Sequence, residues 1–215
     1  MRLCPIKQVG PMGSVAVVTL LMIASIQPAR AGMCACCVDP GERYERTGKL
    51  YDFEFEIINN LKLYAVARLY STDAFPHGFK GMSAADESTL AKDYRLRASQ
   101  NGRKWTLNFT RNDGKRGALI FTLPTTATQF GADLNTDLRK EPQDPGHIYK
   151  EVRLKGTVVG TGMFAAGNSV GTRFVLTLQG YGNRCMSESD FRRWTLEVSG
   201  PRASYRFYGA TIAPA

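Results

Sequence analysis

Histidine is almost missing from this chain. Among 215 residues there are two, His77 and His147. Each sits beside proline or glycine in a stretch that reads as loop, with no serine or cysteine nearby in a recognised nucleophile arrangement. A histidine so placed is read as a surface group. Histidine-built metal sites and any triad legible from sequence are thereby set aside. Paired carboxylates for acid–base work are wanting as well. Long apolar runs are scarce: Val15 to Ile26 is nearly all apolar, but too short for an ordinary spanning helix. Internal repetition is limited to Lys104-Trp105-Thr106-Leu107 and Arg193-Trp194-Thr195-Leu196, too short a match to define a repeat.

What is present begins with an export pattern. Arg2 and Lys7 form a basic start, the apolar run follows, Pro28 breaks it, and Ala29-Arg30-Ala31 is a small-x-small cleavage site. Cleavage after Ala31 leaves Gly32 to Ala215, enough for one domain with a proper core. The expected plan is a signal peptide over 1–31, a cysteine-rich segment over 32–46 and a single β domain over 47–215. The expected address is secreted or periplasmic. Met33 before Cys34 argues against lipid modification. The chain has 28 basic and 19 acidic residues; Arg2, Lys7 and Arg30 leave with the signal, so the mature part carries a net charge of +6. Its basic runs are short and scattered, which suits a solvated face; the address argues against nucleic acid as a partner and leaves anionic polysaccharide or a membrane surface open.

Export decides how the cysteines read. Cys4 leaves with the signal; Cys34, Cys36, Cys37 and Cys185 remain. Outside the cytosol, thiols oxidise unless a metal or partner protects them. Four thiolates would suit zinc or copper, yet the cluster lacks the usual ligand spacing, which is about two to four residues. Adjacent Cys36 and Cys37 bridge each other only with strain in the peptide between them. The preferred expectation is a disulfide from Cys36 or Cys37 to Cys185, with no cofactor. The alternatives are a metal site of Cys34, Cys36, Cys37 and Cys185, or a thiol-redox pair.

The rest of the chain alternates apolar and polar residues with period two. Tyr51, Phe53, Phe55 and Ile57 read as a strand face, Asn59-Asn60 as a turn, and 61–70 as the returning strand. A capping-box pattern, Ser83 to Asp86, predicts one short helix near 84–93. Residues 94–123 read as a three-strand meander, turned at Asn101-Gly102 and Asn112-Asp113-Gly114. Residues 125–147 read as a long connection. Strands follow over 148–158 and around Phe174–Leu178, Trp194–Val198 and Tyr205–Phe207. Lys150 falls on the apolar side of its strand and breaks the pattern. About nine strands, wet on one face, predict an all-β antiparallel up-and-down barrel or a two-sheet sandwich. Charges on the expected outer faces, among them Arg95, Arg97, Arg153 and Lys155, argue against an integral membrane protein. In length, export and meander the pattern resembles a lipocalin barrel. The Gly-x-Trp of that family's first strand is missing around Tyr51, so the resemblance is one of fold alone.

Three weaker motifs remain. Gly160-Thr161-Gly162-Met163-Phe164-Ala165 matches a dinucleotide fingerprint, but no acidic residue follows at ribose distance, and a glycine hairpin loop is the reading. Asp133, Asn135 and Asp137 have calcium-loop spacing, without the glycine and glutamate that such a loop needs. Asn108-Phe109-Thr110 is a glycosylation sequon placed mid-strand. The resulting functional expectation is a non-catalytic exported module that binds a small or apolar ligand, or a partner protein. Its lining would be Phe53, Phe55, Trp105, Phe109, Phe121, Phe174 and Trp194. An exported metal-binding or thiol-redox protein is the alternative.

Overall fold

The computed structural model describes residues 43–69, 93–133, 148–182 and 186–212. All five cysteines and both histidines lie outside them. So does the helix expected near 84–93, apart from Asp93, which opens a strand. The elements are β1 (Arg43–Lys49), α1 (Asp52–Asn60), β2 (Lys62–Leu69), β3 (Asp93–Asn101), β4 (Lys104–Thr110), β5 (Arg116–Thr122), β6 (Thr126–Asp133), β7 (Ile148–Gly162), β8 (Arg173–Gly182), β9 (Phe191–Gly200) and β10 (Ala203–Ile212).

Eight strands close a ring in chain order. β2, β3, β4, β5, β7, β8, β9 and β10 pair successively, and β10 returns to β2, every pair antiparallel. This is an up-and-down barrel, not a sandwich. The local chemistry explains the ring. Asn101-Gly102 turns β3 into β4, with Gly102 at φ 54°, a conformation that costs glycine little. In β9, Trp194, Leu196 and Val198 face inward while Arg193 faces out, the alternation that strand geometry imposes.

Two further strands extend the barrel wall. The 15-residue β7 pairs with β5 through its C-terminal part and with β6 through its N-terminal part, and β1 lies on the far edge of β6. The connection expected over 125–147 therefore contains a strand. Small residues hide it. Ala127, Gly131 and Ala132 supply no apolar alternation, and the Tyr44 ring lies where a side chain on Gly131 would be.

The strand expected at Tyr51–Ile57 is a helix. Only Glu54 and Ile58 are buried in it, while Phe53 is 53% exposed. The two buried residues stand one helical turn apart and so share a face. Glu54 reaches back to accept the Tyr51 backbone N–H at 2.8 Å, half of a capping box. The pattern Tyr51, Phe53, Phe55, Ile57 has period two by composition, but Tyr51 and Phe53 stack on each other at the surface, 6.0 Å between centroids, while Phe55 and Ile57 pack partly against the core. Eight of the nine expected strands make the barrel, and the ninth is α1.

The interior is a packed core. Trp105, Phe109, Phe121, Phe174 and Trp194 are all buried. Phe121 lies 4.4 Å from Phe174, and Phe109 lies 4.4 Å from Phe207 between ring centroids. The Trp105 indole donates to Asn59 Oδ1 at 3.2 Å, which ties α1 to the barrel end nearest the β3–β4 turn. Eight-stranded barrels are just wide enough for side chains to fill them.

Phe164 sits among Phe109, Tyr205 and Phe207 toward the other end of the barrel. It explains the glycine motif: a Cβ on Gly160 would lie 2.6 Å from the Cβ of Phe164, and Gly162 holds φ 58°. The two glycines admit a ring to the core. In the same cluster of rings, the buried Tyr94 hydroxyl has no hydrogen-bond partner among the described residues. The Arg111 guanidinium, paired with Asp113, lies near the hydroxyl and interacts with it, but outside hydrogen-bond geometry. A buried donor left unmade costs about 1–3 kcal/mol. Tyr94→Phe is thus expected to raise the melting temperature by a few degrees; calorimetry checks it, and a lower melting point contradicts it.

Candidate functional site

Two places concentrate polar chemistry. The first is the barrel mouth beside α1. Lys150, the residue that broke the alternation of β7, points inward and is 4% exposed. Its Nζ donates to Asp190 Oδ2 at 2.7 Å, and the same oxygen accepts the Ser187 backbone N–H at 2.8 Å. Burial pushes the Lys150 pKa down, and the Asp190 carboxylate opposes that push. Nearby, Glu54 accepts from Arg46 at 2.9 Å and from Gln129 Nε2 at 2.9 Å. Between these groups lies a cavity of about 30 Å³, lined by Tyr44, Glu54, Gln129, Lys150 and Met186 among others. That is room for one water molecule. Lys150, Asp190 and Glu54 each have a partner, so the mouth is a polar joint of paired charges.

The second place is on the outer wall, where β2, β10 and β9 run side by side. Between the pairs Ala67↔Gly209 and Leu63↔Thr211, β2 carries three residues opposite the single Ala210. This bulge bows β2; Tyr64 and Val66, two apart on its wet face, are both exposed. Gly209 faces inward, where the Trp194 indole fills the space of its missing side chain. Ala210, facing out, is small. A groove of about 460 Å³ results, walled by Tyr64, Val66 and Arg68 of β2, Tyr208 of β10 and Arg193 of β9. The strand registers place Tyr208 opposite Arg68, and Ala210 opposite Arg193.

Charge in the groove is of one sign. Arg68 is bonded to Asp93 at 2.9 Å, and Asp93 with the Tyr208 hydroxyl holds the guanidinium further toward its protonated form. Arg193 has no ion-pair or hydrogen-bond partner among the described residues, and no acidic side chain among them lines the groove. Tyr64 is 53% exposed and Tyr208 is 37% exposed. The arrangement presents aromatic faces and an open cation. Its described residues hold no nucleophile–base pair.

The aromatic residues expected to line a ligand site divide. Trp105, Phe109, Phe121, Phe174 and Trp194 share the interior and pack it; Phe53 is exposed on α1, and Phe55 packs partly against the core. The sequence did not point to the groove, whose Tyr64 and Tyr208 stand on the wet sides of their strands like ordinary surface residues. Asp133 ends β6, while Asn135 and Asp137 lie outside the described residues. Asn108 faces out from β4 and donates to the Arg97 carbonyl at 3.3 Å.

Cys34, Cys36, Cys37 and Cys185 lie outside the described residues, but their anchors do not. Arg43 pairs with Ala132, Asp133 with Ile148, and Ile148 with Gly182, so β1 begins and β8 ends at the same side of the wall. Met186, the neighbour of Cys185, and Tyr44, shortly after Cys37, line the same small cavity. Among the described residues, no group of three or more His, Cys, Asp or Glu could hold a metal ion. No helix among them is long and apolar enough to cross a membrane. Comparison of the whole chain with family models, curated proteins and solved structures finds no match.

Proposed function

We propose that the chain is an exported, non-catalytic binding module that takes a small ligand in the groove on its outer wall, with its N-terminal segment stapled to the barrel by a disulfide at Cys185. One observation carries the binding reading. The inward rings are spent on one another, whereas Tyr64, Val66 and Tyr208 stay exposed around an open Arg193. Exposed aromatic side chains gathered in a concave site mark binding surfaces, because their burial by a ligand releases water from apolar area. The export reading rests on the pattern of residues 1–31, and the staple on the anchors just described.

The test is a small-molecule fragment screen followed by amide shift mapping on isotope-labelled protein. Shifts are expected to gather on Tyr64, Val66, Arg193 and Tyr208, and to vanish in a Tyr64→Ala, Arg193→Ala double variant. Shifts gathered on inward residues such as Leu176 and Leu196 would move the ligand into the barrel and overturn the reading. An absence of shifts anywhere in the groove would do the same.

A further inference from the structure

We infer that the groove binds an acidic sugar, one carrying a carboxylate such as a uronic acid, within an oligosaccharide; this rests on the outer-wall reading above. Three properties select that class. First, the charged side chains among the described residues of the groove are Arg68 and Arg193. Asp93 answers Arg68, so the uncompensated charge is Arg193. A guanidinium is a planar fork that meets a carboxylate with two parallel hydrogen bonds. Second, the apolar surface is tyrosine and valine. Tyrosine rings stack on the C–H faces of sugars while their hydroxyls bond at the rim. Third, the groove is open. Its walls stay half exposed, which suits a ligand that keeps hydroxyl groups in water better than one that must be wholly buried. Its volume is about 460 Å³. That falls in the range of small-ligand sites and gives room for one or two sugar rings.

The geometry assigns roles. Arg193 on β9 faces Tyr64 and Val66 of β2 across the floor made by Gly209 and Ala210. A sugar ring lying on that floor would put its carboxylate at Arg193 and a C–H face at Tyr64. Arg68, already bonded to Asp93 and held near the Tyr208 hydroxyl, closes the end of the groove and positions that tyrosine.

The experiment uses the full oxidised chain and three probes: a galacturonic acid tetrasaccharide, a neutral tetrasaccharide of the same length, and a sulfated one. Calorimetry and amide shift mapping are the readouts. The uronate is expected to bind at least roughly tenfold tighter than the neutral probe, with weakening as salt rises. Arg193→Ala should erase that preference, while Tyr64→Ala should weaken the uronate and neutral probes alike. Both are surface positions, and unchanged melting temperatures would verify that the variants fold. Equal binding of the neutral probe in the groove overturns the acidic preference and leaves the groove reading intact. A preference of the same size for the sulfated probe overturns the carboxylate assignment. Failure of all three probes, alongside groove shifts from fragments, overturns the sugar class alone; failure of fragments too removes the groove reading with it.

Discussion

Replacing Asp190 by alanine is expected to cost the barrel about 3–5 kcal/mol, the cost of breaking a buried ion pair by removing one partner. Lys150 would lose the carboxylate that faces it at 2.7 Å, and the Ser187 N–H would lose its acceptor. The fold has made room for this carboxylate. Asp190 presses on β8 where Gly180 and Gly182 have no side chains; a Cβ on either would collide with the Asp190 carbonyl or carboxylate. Urea unfolding measures the loss, and the melting temperature should fall by on the order of 10 °C for a domain of this size. The double replacement Lys150→Met with Asp190→Asn removes both charges and keeps an acceptor for Ser187. It should recover most of the loss, because two desolvated charges contribute little net stability over an apolar pair. A cost below about 1 kcal/mol for Asp190→Ala would mean that Lys150 reaches water.

The same pair has a pH signature. Burial sets the folded Lys150 pKa below the ordinary 10.5. Between the two values the unfolded chain binds the proton more readily than the folded one, so stability from this group rises with pH through that window. Measured against Lys150→Met, the wild type should gain as pH approaches the ordinary lysine value. A difference that stays flat or falls over that range contradicts the assignment.

The barrel was legible where strands have one wet face and one buried face. Trp105, Leu107 and Phe109 alternate with Thr106 and Asn108, and the structure buries the first three and turns Asn108 to solvent. Legibility failed where burial is not two-sided. β1 and β6 bury little beyond Ala127 and Ala132, with Tyr44 laid over Gly131, so composition carries no period there. It failed also at Tyr51–Ile57, where alternate aromatic residues imitate a strand. The deciding feature there is Glu54, bonded back to Tyr51 and across to Arg46 and Gln129, the last of them 75 positions away. Lys150 gave the converse lesson. A lysine on an apolar strand face broke the pattern, but its buried partner Asp190 lies 40 residues away and no local pattern names it. The groove needed the bulge in β2, which arises from register between strands at opposite ends of the chain. Periodicity is written within each strand, whereas the slip of two distant strands past each other is decided between them.

Cys185→Ser should have the largest effect outside the core, through the proposed staple. Gly182 ends β8 and Met186 packs against the core, so only three residues separate the two anchors. Tyr44 lines the same cavity as Met186, and Cys37 precedes it closely in the chain. The roughly seven residues from Cys37 to Tyr44 span up to roughly 24 Å when extended, so the bond to Cys36 or Cys37 requires no displacement of β1. It would close a loop of about 150 residues, for which chain entropy sets an upper stabilisation of roughly 5 kcal/mol. The variant should melt well below the wild type under oxidising conditions, and reduction should bring the wild type down to meet it. Proteolysis near Asp39 should accelerate in both, since the segment ahead of β1 would lose its tether. Peptide mapping without reductant should recover Cys185 joined to Cys36 or Cys37. Equal melting and equal cleavage of the two oxidised proteins would refute the staple. Loss of a bound zinc or copper ion from the variant, with no disulfide in the wild type, would instead assign Cys34, Cys36, Cys37 and Cys185 to a thiolate metal centre. Either outcome fixes what holds the N-terminal segment, because a thiolate that ligates a metal is not available to form a disulfide.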